Sequence, residues 1–511
     1  MREAFGFPPA VSGLLQRPHH GGIVIAYVEP IDVMLACTEM TEWAAMSACA
    51  RMSGAAPLEL EPKRTEIDAI LARDRSPGLR RLEAEARARD LPFLWDDEEV
   101  SVGYGTGSSA TWPRHAVPDV AEVPWDRLGR VPIALVTGTN GKTTSTRWLA
   151  RVAMEAGRTV GVTSSDAIAI GGQVISAGDW TGPQAARVVL RRTDVDLAVL
   201  ETARGGILRR GLAIDRCDVA LMTNISDDHL GSYGIDDLDA MTNVKAVIAE
   251  AAKAVVLNAA DPRLAALAKR FADRRVLLYA DLDTAPEARA VVEGHRGHRG
   301  ESVVAENGRI RRGEIELGQV DEIPLTFRGA ARFNVANALG VAAAATALGL
   351  PDDAIRRALT GFTTAENPRR TALAEKNGVR VLLDFGHNPD GIRAVMGLVR
   401  QLRGAGRLFV CLGSAGDRTD HELDEMARHV VEAQPRSVIL REMPDYLRGR
   451  ALGDVTAFFR GAFARRGFTE LRAADSEVDS LRVALSEAEP GDFVILLVHL
   501  DHDAVAAYIA S

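Results

Sequence analysis

The chain has 511 residues, 47% hydrophobic and 26% charged, with a formal net charge of −9. That length corresponds to about three ordinary domains, and the acidic balance argues against nucleic acid as a partner, because its phosphates favour basic surfaces. No uninterrupted apolar run reaches the roughly 18 residues of a membrane span, and Cys37, Cys49, Cys217 and Cys411 are scattered without metal or disulfide spacing, so a cytoplasmic protein with reduced thiols is expected.

In chain order, 22–28 (GIVIAYV) reads as a strand and 31–52 as a helix with apolar residues at three- and four-residue spacing. Helical stretches near 64–73 and 77–89 and a short strand, PFLW, follow. Residues 103–126, rich in Gly, Ser and Pro, read as a linker. From 131 to about 280, the runs IALV, TVGVT, LAVLE, VALMTNI, AVVLN and VLLYA alternate with helical segments, the pattern of a doubly wound, largely parallel sheet. Asn307-Gly308 marks a tight hairpin turn, and 332–348 reads as a helix. Coil 286–301 reads as a solvated loop. After 361–371 a second βαβ series begins with VRVLLDF, RLFVCLG, RSVILRE and GDFVILLV. The expected fold is therefore multidomain α/β: a small N-terminal α/β domain with its linker (1–125), a P-loop-type central ATPase domain (126–365) and a Rossmann-like C-terminal domain (366–511).

The segment VTGTNGKTT joins a strand to a helix. Gly138 and Gly141 let the backbone approach an anion, and Thr139, Asn140 and the helix-start N–H groups face it. Lys142 reaches terminal phosphates, while Thr143 or Thr144 offers a hydroxyl to Mg²⁺. The first glycine of the general phosphate-loop pattern falls on Val136, and a plain glycine turn with an exposed lysine is the alternative. Six of the 61 Lys and Arg residues are lysine. In a chain that carries most of its positive charge on arginine, lysines at 142 and 245 point to a need for a primary amine, although Lys253 and Lys269 show that ordinary helix lysines also occur.

Taken with its surroundings, TGTNGKTT resembles the nucleotide loop of the Mur ligase superfamily of ATP-dependent amide ligases. Glu201 in VLETARGG matches that family's magnesium-binding glutamate, and TNISDDHLG places His229 as ligand of a second magnesium. Asn334 and Asn337 in FNVANALG match the segment contacting adenine. DFGHNPDG, with Asp384 and His387, resembles the motif that opens the third domain. Lys245, sixteen residues after His229, stands where many of these ligases carry a carbamylated lysine that holds Mg²⁺; arginine, always protonated, cannot take that role. Taken singly, Glu201 also reads as a surface-paired carboxylate, His229 as a loop histidine and Lys245 as a solvated helix lysine. At the hinge, Arg370 matches the family's ATP-contacting arginine, while Arg369 replaces a glycine. Asp445 and Arg448 in MPDYLRGR are candidates for the ammonium and carboxylate of an incoming amino acid, or members of a surface charge cluster.

SSDAIAIGGQVISAGDWTGPQAARVVL, ILRRGLAIDRCDV and GSAGDRTDHELDEMARHV resemble the C-terminal module of the cyanophycin synthetase branch, which joins arginine to aspartyl side chains. Only about 25 residues separate the part resembling that branch's N-terminal domain from the Mur-like part, so no ATP-grasp domain fits between them. The resemblance implies ATP, two Mg²⁺ ions, a carbamylated Lys245, an amino acid and a carboxylate-bearing molecule or peptide as substrates, and a homo-oligomer or a separate ATP-grasp protein as partner. A folylpolyglutamate-type ligase and a non-autonomous ATP-binding subunit are the competing readings.

Overall fold

The apolar runs between residues 131 and 306 form strands covered on both faces, which is why they read as continuous Val, Leu, Ile and Ala rather than as alternation. A computed structural model describes the whole chain except Met1, Pro9, Ala10, His20, Gly21, Gly107, Ser108, His229, Ser232 and Arg299. It divides into two compact units. Among the described residues, no helix is long and apolar enough to cross a membrane.

The first unit comprises residues 1–131 with 190–194 and 231–235. Strands Ser12–His19 and Gly22–Val28 pair antiparallel. Helices Met34–Met52, Leu60–Asp74 and Pro77–Ala88 follow; Ser76 caps the last, accepting the Leu79 N–H at 3.2 Å. Phe93–Trp95, Glu99–Gly103 and Ser109–Pro113 make a three-stranded sheet. The expected linker at 103–126 thus contains a strand, because Thr111 and Trp112 suit a pleated surface. Ile31, Leu79, Leu82, Val100 and Val102 form the core beneath this sheet.

In the second unit, Ile133–Thr137 is the middle of an eleven-stranded sheet. Leu197–Glu201 and Cys217–Met222 flank it in parallel. Val160–Thr163, Ala252–Asn258, Arg275–Asp281 and Glu301–Glu306 extend the parallel part. The chain crosses from one side of Ile133–Thr137 to the other, and the carboxyl ends of strands at such a switch are where open parallel sheets take ligands. Antiparallel hairpins close both edges. Asn307 and Gly308 turn one of them with φ of 52° and 73°, as expected; the other, Ala167–Ile170 with Gln173–Ala177, went unread because its strands are so short. Residues 286–301 are not simply loop: Arg289–Gly297 is a helix that buries Val292 and turns its charges outward.

Helix Arg332–Ala347 is apolar on every side and buried accordingly. It packs with Lys142–Glu155, whose Trp148 is fully buried, stacks on Phe362 at 5.2 Å and donates to Ala358 O at 3.0 Å. Truncating a tryptophan of this kind to alanine costs about 3–5 kcal/mol.

A six-stranded sheet completes the unit. Ala372–Lys376 is an antiparallel edge, and Val379–Asp384, Phe493–Leu497, Leu408–Leu412, Ser437–Arg441 and Leu471–Ala474 run parallel. At its carboxyl end, buried Arg441 and Glu477 pair at 2.6 Å. Glu477 also accepts the N–H groups of His499, Leu500 and Asp501, so one carboxylate serves the guanidinium and three backbone ends.

Candidate active site

The turn after Ile133–Thr137 needs its glycines. Gly138 has φ 155°, and a Cβ there would lie 1.8 Å from Thr223 Oγ1; Gly141 has φ 83°, and a Cβ would lie 2.3 Å from Asn337 Oδ1. Thr223 and Asn224, at the end of the neighbouring strand, hold the turn from beneath: Asn140 N–H donates to Asn224 Oδ1 at 2.8 Å, and Thr139 N–H to Asn224 O at 2.9 Å. Two lysines lie against it. Lys142 Nζ donates to Thr139 O at 2.9 Å and Lys245 Nζ to Gly138 O at 2.6 Å. Lys245 is 4% exposed. Burial first, and then the charge of Lys142, pull its pKa well below the ordinary lysine value, with Asp228 opposing.

Glu201 ends the adjacent strand and is also buried. Burial raises its pKa, while Lys142, Arg370, the Thr143 hydroxyl and the Ser165 N–H favour the carboxylate. Ser165 N–H donates to Glu201 Oε2 at 3.2 Å, and Ser165 Oγ lies 3.0 Å from Thr143 Oγ1. Two hydroxyls and a carboxylate grouped in this way are hard oxygen donors of the kind Mg²⁺ takes. Among the described residues, no group of three His, Cys, Asp or Glu side chains is arranged for a metal, and His229 lies outside those residues. Thr144 Oγ1 accepts from Asn367 Nδ2 at 3.2 Å, so it serves the hinge.

Asn334 and Asn337 are buried on one helix face. Asn337 Nδ2 donates to Asn334 Oδ1 at 3.1 Å, and Asn334 Nδ2 to Leu325 O at 2.9 Å. From the second sheet comes Arg370, whose Nη2 donates to Ser165 Oγ at 3.3 Å and whose guanidinium lies 4.1 Å over the Phe385 ring. Arg369, in the place of a glycine, adopts a glycine-like φ of 66°, so the hinge keeps its course at the cost of backbone strain. Thr371 is left-handed too, at φ 56°, and Asp384 holds it there by accepting both its N–H and its hydroxyl at 2.9 Å. His387 is half-buried, and its pKa is pushed down to about 3, mainly by desolvation. The second tie between the sheets is Arg418, 4% exposed, which bonds Asp228 at 2.5 Å and Glu422 at 3.2 Å.

Two family models match this chain: the Mur ligase middle domain over residues 136–345, and the Mur ligase, glutamate ligase domain over residues 369–497. A UDP-N-acetylmuramate–L-alanine ligase of Stenotrophomonas maltophilia is 30% identical over 387 residues, covering 73% of each protein. The chain belongs to the Mur ligase family. The cyanophycin synthetase of Synechocystis sp. is 37% identical over 396 residues, 75% of this chain and 44% of that one; the chain thus spans less than half the length of that relative. A solved bifunctional folylpolyglutamate synthase/dihydrofolate synthase, with Mn, AMPPNP and L-glutamate bound, shares the fold with a TM-score of 0.52 at 23% identity, over 71% of this chain and 86% of that one.

The structure draws the turn, Glu201, Lys245, Asn337 and Arg370 together. Asp445 is exposed on the turn Pro444–Tyr446, while Arg448 bonds Asp417 at 2.6 Å and lies over Tyr446. Ser165 and Arg418 were missed from the sequence. The signal for Ser165 is register: Thr163 pairs with Leu200, which brings the residues just past Thr163 level with Glu201.

Proposed function

We propose that this chain is an ATP-dependent, ADP-forming ligase that joins a substrate carboxylate to the amine of an amino acid. The observation that carries this reading is the meeting of Lys142, Thr143, Ser165, Glu201 and Lys245 at one phosphate turn, with Arg370 reaching in from the other sheet. ATP phosphates would lie on the turn, against Lys142. Thr143, Ser165 and Glu201 would hold Mg²⁺, which neutralises charge on the transferring phosphoryl group; His229 would serve a second ion. Asn334 and Asn337 face adenine in this reading, and Asp384, His387 and Arg370 complete the nucleotide site.

The carboxylate oxygen attacks the γ-phosphorus, giving an acyl phosphate and ADP. The neutral amine then attacks the acyl carbon, phosphate leaves with the C–O bond electrons, and the amine loses a proton. Glu201, Thr181, Pro183, Ile207 and Leu212 line a small pocket of about 20 Å³, the room of about one water, beside the metal-binding groups. Lys245, buried and with its pKa drawn down by that burial, is the group that CO₂ would convert to a carbamate with release of a proton. The similarity to cyanophycin synthetase supports an aspartyl carboxylate and arginine as the first pair to try, with a separate ATP-grasp protein supplying the backbone.

The test is ADP release by the purified protein with ATP, Mg²⁺ and bicarbonate, screening single amino acids against aspartyl peptides and small dicarboxylates. Amino-acid-dependent ADP and a product lighter by one water than its two parts are expected. ATP turnover indifferent to every amino acid and carboxylate, alone or with an ATP-grasp protein, would overturn the reading.

A further inference from the structure

Asn140 has both main-chain polar groups fixed. Besides its N–H on Asn224 Oδ1, its carbonyl accepts Asn224 Nδ2 at 2.9 Å and Thr223 Oγ1 at 2.6 Å. With the backbone pinned, the turn itself aims the side chain. The carboxamide meets that of Asn388 in two reciprocal hydrogen bonds, Asn140 Nδ2 to Asn388 Oδ1 at 3.2 Å and Asn388 Nδ2 to Asn140 Oδ1 at 3.1 Å.

Asn388 is fully buried and caps helix Pro389–Leu402, its Oδ1 accepting the Gly391 N–H at 2.8 Å. That cap fixes the amide orientation, since the flipped form would set an NH₂ group against an N–H. Both lone pairs of Oδ1 are then in use. A Cβ at Gly391 would lie 3.2 Å from Asn388 Oδ1 and 3.7 Å from Asn140 Oδ1, so there is little room for the contact to be rebuilt differently. Phosphate turn, amide pair and helix start form one series.

We propose that Asn140 and Asn388 are a positioning pair that sets the phosphate turn against the segment carrying Asp384, Phe385 and His387. The same segment lies under Arg370, so the pair fixes where that guanidinium stands relative to the turn. Because the pair is neutral, salt does not screen it, unlike an exposed ion pair. The catalytic meaning of the pair rests on the ligase reading; the coupling itself does not.

The test uses Asn140→Ala, Asn388→Ser and the double variant of the full chain. Serine keeps an acceptor for the helix cap and removes the amide donor. X-ray scattering without nucleotide should show the same expansion in both singles and the double, at low and at high salt. Mg–AMP-PNP affinity should fall about tenfold in each single, the scale of two neutral hydrogen bonds, and no further in the double, because one contact is lost once. Wild-type dimensions in all three variants, or losses that multiply to about a hundredfold in the double, would overturn the pairing. A wild-type chain that binds no Mg–AMP-PNP overturns the ligase reading instead, with the scattering still deciding this one.

Discussion

Replacing Gly141 with alanine separates two costs that the phosphate turn carries. At φ 83° a Cβ brings left-handed strain of about 1–2 kcal/mol. The same Cβ would also sit 2.3 Å from Asn337 Oδ1, so the buried amide must move and its hydrogen bond to Asn334 is lost. That adds about 1–3 kcal/mol. Gly157→Ala is the matched control: its φ is 80°, and its Cβ meets nothing within 4 Å. Thermal melting should therefore place Gly141→Ala about 1–3 kcal/mol below Gly157→Ala. Mg–AMP-PNP titration should show weakened binding in the first variant alone. Equal melting of the two variants, with equal nucleotide affinity, would refute the steric argument and the placing of Asn337 at the site.

Glu477→Gln leaves Arg441 charged in a buried pocket and should cost about 3–5 kcal/mol in urea unfolding, whereas Glu425→Gln, at the partly exposed pair with Arg428, should cost about 1 kcal/mol or less. His387 is kept neutral in the fold, pushed down to about 3 by desolvation, with Arg418, Lys142 and Arg370 adding to it and Asp228 opposing. The unfolded chain therefore binds the proton first, and this contribution to stability is present above about pH 6.5 and lost as pH falls toward the folded value. His387→Gln should flatten the fall in stability over that window; an unchanged pH profile would count against a desolvated neutral imidazole. Burial pushes Cys37 up to about 11, Cys411 up to about 12 and Cys217 higher still, while Cys49 is exposed. A thiol reagent near neutral pH should accordingly titrate Cys49 alone in the native protein and the other three only after denaturation.

The phosphate turn was legible because its chemistry is local. Gly138 and Gly141 are dictated by close backbone approach and positive φ, a requirement that leaves its mark within eight residues. Lys245 stood out because the chain otherwise prefers arginine. Ser165 left no mark: its role comes from the register between two strands, and Glu201 is 36 positions away. Arg418 meets Asp228 across 190 positions, a pairing that no periodicity encodes. Arg448 bonds Asp417, 31 positions earlier, a partner that its own segment does not announce. The Arg289–Gly297 helix was hidden by its Arg and His content; only Val292 faces inward to signal it.

The central claim is that a carboxylate oxygen attacks ATP. The direct test labels the acceptor carboxylate of an active substrate pair with ¹⁸O and reads the inorganic phosphate by mass spectrometry. The account predicts phosphate carrying one ¹⁸O for each amide formed, because that oxygen leaves with the phosphoryl group. Unlabelled phosphate released alongside the amide would contradict an acyl phosphate intermediate and the assignment of this site.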